Sequence, residues 1–306
     1  MTTAEFDEFV LTCMPTFIAI NYQRLLEAQD PQEQVALILH IYNLGLRTLT
    51  INLVSQYIFR DRAQGQMSDP YLDTLLEQRF PHLTADAWEE MLFTTLRAYE
   101  GHRDLFFMPQ LYDFYWAPST HHHSGRAEVK PPFDRLTQAT LEHQTQRLLP
   151  QDASGWQVLA AELLAHLRKI LQSLSFIGEY DLIHVLAHDE QTYTFELHKG
   201  TQVVTDQRPL PQHAQLTSDW FYLRAGTEEL LPLHPLLIFW EDTIEPTDTG
   251  VFDRWIQERL KYLLATPGQI RFDEKRVRDF VKIIYSTIQE AAGEQKREQQ
   301  EAEKLT

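Results

Sequence analysis

The stretch GEYDLIHVLAHDEQTYTFELHKG, residues 178–200, decides the fold class, because the hydrophobic period changes inside it. Upstream, apolar residues recur every three or four positions. Within it, β-formers alternate or cluster at Asp181–Ala187 and Thr192–Leu197, on either side of HDEQ. That pattern predicts two strands joined by a hairpin turn. The chain therefore reads as helices first and a β module after.

Working back toward the N-terminus, Asp30-Pro31-Gln32-Glu33 places a capping residue, a first-turn proline and a glutamate at capping-box spacing. The apolar stripe from Val35 to Ile58 then predicts one long helix ending near Arg60. Ser68-Asp69-Pro70 opens another helix, and Thr84 a third that Gly101 terminates. Further helices are expected at about 133–149 and 154–176. Between residues 105 and 132 the sequence is aromatic and Pro-containing and reads as a long loop. Pro15 splits the apolar run at the start into two helices.

Working forward, Val203–Thr205, Trp220–Arg224 and Leu233–Trp240 read as three more strands, with Pro209, Pro211, Pro232 and Pro235 bracketing them. From Val251 the spacing of FDRWIQERLKYLL fits a helix again, followed by a second helix and a polar tail that reads as a frayed helix or linker. The expected architecture is α+β and predominantly helical. It comprises a bundle at 1–177, a small antiparallel β module at 178–245, and C-terminal helices with the tail at 246–306.

Composition narrows the function. Lys and Arg number 27 against 44 Asp and Glu, a net charge of −17, so a phosphate backbone is repelled overall and DNA binding is not expected. A protein partner with a basic surface fits better. Eight Lys/Arg between Gly250 and Lys282 run against that trend. On an amphipathic helix such charges usually form a solvated face, and contact with RNA or an acidic partner is the alternative. The single cysteine, Cys13, permits no internal disulfide and no cysteine zinc site. The acidic N-terminus and the lack of a long uninterrupted apolar run make a cytoplasmic protein, with no membrane span, the expectation. P-loop, dinucleotide, nucleophile-elbow and HExxH signatures are all missing, and no cofactor is expected.

Two candidate sites remain. Arg97 and His102, in LRAYEGHRD (residues 96–104), supply the residue types a metal-independent RNase needs. Histidine titrates near neutrality and can move protons, while arginine stabilises a charged phosphoryl transition state. The alternative is that both merely complement the helix end. The aromatics Phe106, Phe107, Tyr112, Phe114, Tyr115 and Trp116 could stack on bases, pack as core, or dock a protein partner. No metal site is expected. His121–His123 read as a solvated loop. His184 and His188 share strand parity beside His198, but half-buried strand histidines are the simpler reading.

A bundle with Arg-x4-His near the end of a late helix resembles the HEPN superfamily, whose RNase members use such a motif, often across a dimer cleft. The resemblance covers at most residues 4–176. Where that family usually has Asn, Asp or His after the arginine, this chain has Ala98. The order of long helices, motif helix, a β module ending LLPLHPLLIFWED, and FDRWIQERLKYL is similar to regulatory domains of bacterial conflict systems. Those domains accompany kinases, STAND-type ATPases, caspase-like proteases or CRISPR effectors. The resemblance implies a non-enzymatic regulator or adaptor that binds a protein partner. The alternative it implies is an endoribonuclease using Arg97 and His102, possibly as a homodimer, in which case RNA is the substrate.

Overall fold

The computed structural model describes residues 2–79, 84–116, 124–147, 150, 152–211, 215–226, 229–240, 249–256 and 259–282. At its centre lies α3, Pro31–Gln56, which continues as a π-helical turn over Tyr57–Arg62. The Asp30 carboxylate accepts from the Gln32 amide at 3.1 Å and Pro31 occupies the first turn, so the helix starts where its capping signal lies. Its apolar residues surround the axis instead of forming one stripe, which is the pattern of a helix buried on all sides. By length and composition Pro31–Arg62 is apolar enough to cross a bilayer, but 83% of its most apolar window is buried inside the protein. It is the core helix.

Against it pack α2 (Thr16–Glu27), α5 (Ala85–Ala98), α7 (Ser124–Gln144) and α8 (Ala153–Ser173), while α1 (Thr3–Cys13) packs on α2, α4 (Pro70–Gln78) on α5 and α6 (Pro109–Trp116) on α7. Thr2 and Glu5 close a capping box on α1, and Asp69 and Asp152 cap α4 and α8. The expected long loop at 105–132 is instead largely helical. Pro109 opens α6, and Leu111, Phe114 and Tyr115 recur at helical spacing on its buried side. α7 begins upstream of Pro131 and Pro132 rather than after them. His121–His123 lie outside the described residues.

The first sheet contains β1 (Asp181–His188), β2 (Thr192–Lys199), β3 (Gln202–Pro209), β4 (Phe221–Ala225) and β5 (Glu229–Pro232), all antiparallel in the order β3-β2-β1-β4-β5. The hairpin read from residues 178–200 is present as β1–β2, and its HDEQ turn is tied by Asp189, whose carboxylate accepts from the Gln191 and Thr192 amides at 2.7 Å. One face, with Leu182, Phe221, Leu223 and Leu231, merges with the bundle core. Ile183, Val185, Tyr193, Phe195 and Tyr222 form a second, smaller core on the other face. The β2–β3 turn seats on α1, where the Gly200 amide donates to Met14 O at 2.7 Å.

The segment expected to be helical from Val251 is a β-hairpin. β6 (Leu237–Phe239), β7 (Thr249–Ile256), β8 (Arg259–Leu264) and β9 (Ile270–Asp273) form a second antiparallel sheet in chain order. In β8, Leu260, Tyr262 and Leu264 are fully buried while Lys261 and Leu263 are half-buried, a period of two that the helical reading passes over. Both periods fit so short an apolar run, and pairing across the hairpin decides between them. Because Leu237 pairs with Val251, the sheet also spans the expected boundary at residue 245. Helix returns only at α9, Val277–Phe280, among the described residues. The α+β, predominantly helical class stands, with more strand than expected.

Candidate functional site

The Arg97–His102 stretch ends α5. Gly101 adopts φ +80° and turns the chain, as its position predicts. The Arg97 guanidinium folds back on its own helix, donating to Phe93 O at 3.3 Å and Thr94 Oγ1 at 3.0 Å. His102 is exposed ahead of a short 3-10 turn at Arg103–Leu105. Both side chains lie at the surface. Leu96 and Tyr99 of this stretch go inside, and the Tyr99 hydroxyl donates to Asp61 on the π-helical turn. Asp61 also accepts from Gln56 Nε2 and Arg60 Nε, each at 2.8 Å. Gln56 in turn bonds Leu105 O and the Phe107 amide, each at 2.8 Å. LRAYEGHRD is thus anchored by a buried polar network that fixes the chain after it, and no motif reading exposes that role.

Four of the six aromatics considered for docking are interior. Phe106, Phe107, Phe114 and Tyr115 are at most 8% exposed, so in this fold they form core and not a contact surface. Phe114 packs edge-on to Phe133, and Phe106 lies 4.9 Å from Tyr99. Tyr112 and Trp116 are half-buried at the edge of that cluster.

Among the described residues, four of the eight Lys/Arg in the basic stretch at 250–282 pair with carboxylates: Arg254, Arg259, Lys261 and Arg276. Asp253 is the extra residue of a bulge in β7, since Phe252 faces Tyr262 and Arg254 faces Lys261. The bulge aims its carboxylate inward. There it accepts from Arg47 Nη2 at 2.8 Å and Nε at 3.2 Å, from Lys261 at 2.8 Å and from Arg254 at 3.1 Å. Burial pushes this carboxyl up, but the fields of Arg47, Lys261 and Arg254 outweigh burial and hold it at about 2. These groups line a cleft of about 310 Å³ between α3, α7 and the β7–β9 region. Arg259 pairs with Glu274 and Arg276 with Asp273. Asp253 thus locks the second sheet to the bundle, while Lys275 and Arg278 line a separate open cleft with Trp255 and Glu274.

One further cluster gathers groups able to hold a metal: His184, Glu196 and His198, whose ligand atoms all lie within 4.8 Å of one another. His184 sits opposite Glu196 across the β1–β2 ladder, and His198 is two residues further along the same face. Glu196 Oε2 lies 3.2 Å from His184 Nδ1 and 3.7 Å from His198 Nε2. The His184 ring is stacked between Phe221 and Phe239, at 5.0 and 4.8 Å. His198 is 1% exposed, and neither of its ring nitrogens has a hydrogen-bond partner. Burial lowers its proton affinity, and Glu196 opposes that only in part. Glu196 itself is held below the usual carboxylate range by the two imidazoles, His198 foremost. His188 does not join them. A bulge between Val185 and Ala187 shifts the register, sets His188 against Tyr193 and leaves it exposed.

No protein-family model, no curated protein and no solved structure matches this chain.

Proposed function

We propose that this chain is a non-enzymatic, cytoplasmic regulatory or adaptor protein that docks a partner through the open edge of its first sheet. The observation that carries this reading is β3. It is an edge strand of eight residues, exposed at six of them, with Val204 52% exposed. Among the described residues no strand pairs with its outer side. Such an edge offers a row of amides and carbonyls to an incoming extended segment. With a net charge of −17, the chain attracts a partner segment that is basic. The similarity to HEPN-like accessory domains favours a bacterial signalling or antiviral defence pathway.

The test is cross-linking in the native host followed by purification of the protein beside V204K/D206K, which places two lysines on the edge. A stoichiometric partner recovered with the wild type and lost with the folded variant supports the reading. Absence of such a partner from the wild type overturns it.

The endoribonuclease reading retains one supporting observation: Arg97 and His102 both reach solvent on either side of the Gly101 turn. RNA cleavage in EDTA that disappears in both Arg97→Ala and His102→Ala would establish it. Equal cleavage by all three proteins, or none, would dismiss it.

A further inference from the structure

We propose that His184, Glu196 and His198 form a binding site for a divalent transition metal of the zinc class, with one coordination position left to a solvent ligand. Two neutral imidazoles and a carboxylate are the donor set of three-ligand zinc sites, which keep a fourth position open. Two of the three ligand separations suit that ion; the third, between the imidazole nitrogens, is within 4.8 Å and would shorten on binding. A tetrahedral ion bound at about 2.0–2.1 Å separates its ligand atoms by about 3.3–3.4 Å. The two distances from Glu196 Oε2 to the imidazole nitrogens, 3.2 and 3.7 Å, bracket that value.

The second observation is His198 itself. A buried imidazole with both nitrogens unbonded carries an unmet desolvation cost. A metal at Nε2 would satisfy one of them. A water molecule could do so too, but it would not account for the convergence of a second imidazole and a carboxylate on the same point. The site is also rigid before any ion arrives. His184 is clamped between two phenylalanine rings, and all three ligands stand on paired strands instead of a loop. Access is from the side of Glu196, whose side chain is 24% exposed while both histidines are shut in. Phe239 of β6 stacks on His184, so a bound ion would stiffen the seam between the two sheets.

The sequence offers a competing site in His121–His123, and the experiment must silence it. The full chain carrying His121→Ala, His122→Ala and His123→Ala is stripped with chelator and titrated with Zn²⁺ alone by calorimetry, and with Co²⁺ by visible absorption. The expected result is one equivalent bound, with the d–d bands of tetrahedral Co²⁺. Ring-nitrogen NMR signals of His184 and His198 should shift together. E196Q keeps the shape of a partly exposed side chain and should weaken binding by about 100-fold or more, since even outer-shell partners of a metal can cost that much. H198N should do the same, but E196Q carries the test if that variant fails to fold. No one-to-one binding in the triple-alanine background overturns the proposal. So does equal affinity in the folded E196Q protein.

Discussion

Replacing Asp253 by Asn is the most informative perturbation of this fold. The carboxylate is 1% exposed and faces three cations, of which Arg47 is itself only 2% exposed. Removing one partner of a buried pair strands the other charge, at a cost of about 3–5 kcal/mol. Asp253→Asn removes the negative charge that faces all three cations, leaving one accepting oxygen, and belongs at the upper end of that range. Arg47→Met leaves Asp253 compensated by Lys261 and Arg254 and belongs at the lower end. The pair Arg47→Met/Asp253→Leu should cost less than the sum of its singles, because the most deeply buried cation, Arg47, is no longer stranded; Lys261 and Arg254, which are more exposed, still lose their acid. The carboxyl is held at about 2 against an ordinary value of 3.8. Ionisation therefore contributes about 2–3 kcal/mol. A depressed carboxylate pKa contributes stability that is complete above the unfolded value and is lost as pH falls through the folded one. The wild type should lose that increment between about pH 4 and pH 2, and Asp253→Asn should not. Urea unfolding can be followed at Trp88, whose indole donates to Asp253 O at 3.2 Å and lies 5.4 Å from the Arg47 guanidinium. A loss below about 1 kcal/mol for Asp253→Asn, or a larger loss for Arg47→Met, would refute the lock.

Gly200 adopts φ +66°, and a Cβ there would meet the carbonyls of Leu11 and Thr12 at 2.9 Å. Gly200→Ala should destabilise by about 1–3 kcal/mol and loosen the β2–β3 turn from α1, read as faster amide exchange at residues 200 and 201. Phe114→Ala should cost about 3–5 kcal/mol in thermal or urea unfolding, as core packing requires; an effect within about 0.5 kcal/mol would return that ring to the surface. Tyr99→Phe removes a buried donor from Asp61 and should cost about 1–3 kcal/mol. The same change should speed exchange of the Phe107 amide, which Gln56 holds; an unchanged rate would mean that the network does not reach that far.

Much of the helical half was legible in the residues themselves. Asp30-Pro31, Asp69-Pro70 and Gly101 act through bonds and dihedrals within one turn of chain, so each marks its helix end whatever lies around it. The β1–β2 hairpin was equally local. The sequence also determined the charge of −17 and the candidate pair Arg97 and His102.

Tertiary structure decided the rest. FDRWIQERLKYLL satisfies both a helical and a strand period, and pairing across the β7–β8 hairpin and with β6 and β9 selects the strand. Two bulges, at Leu186 and Asp253, then reassign which side chains share a face. One separates His188 from His184, and the other turns an acid of an exposed-looking helix into the centre of a buried lock. His184, Glu196 and His198 were visible as residue types, but their convergence depends on register. Register is set by which faces can be buried against α1–α3 and the second sheet, a long-range energy that no short window of sequence contains.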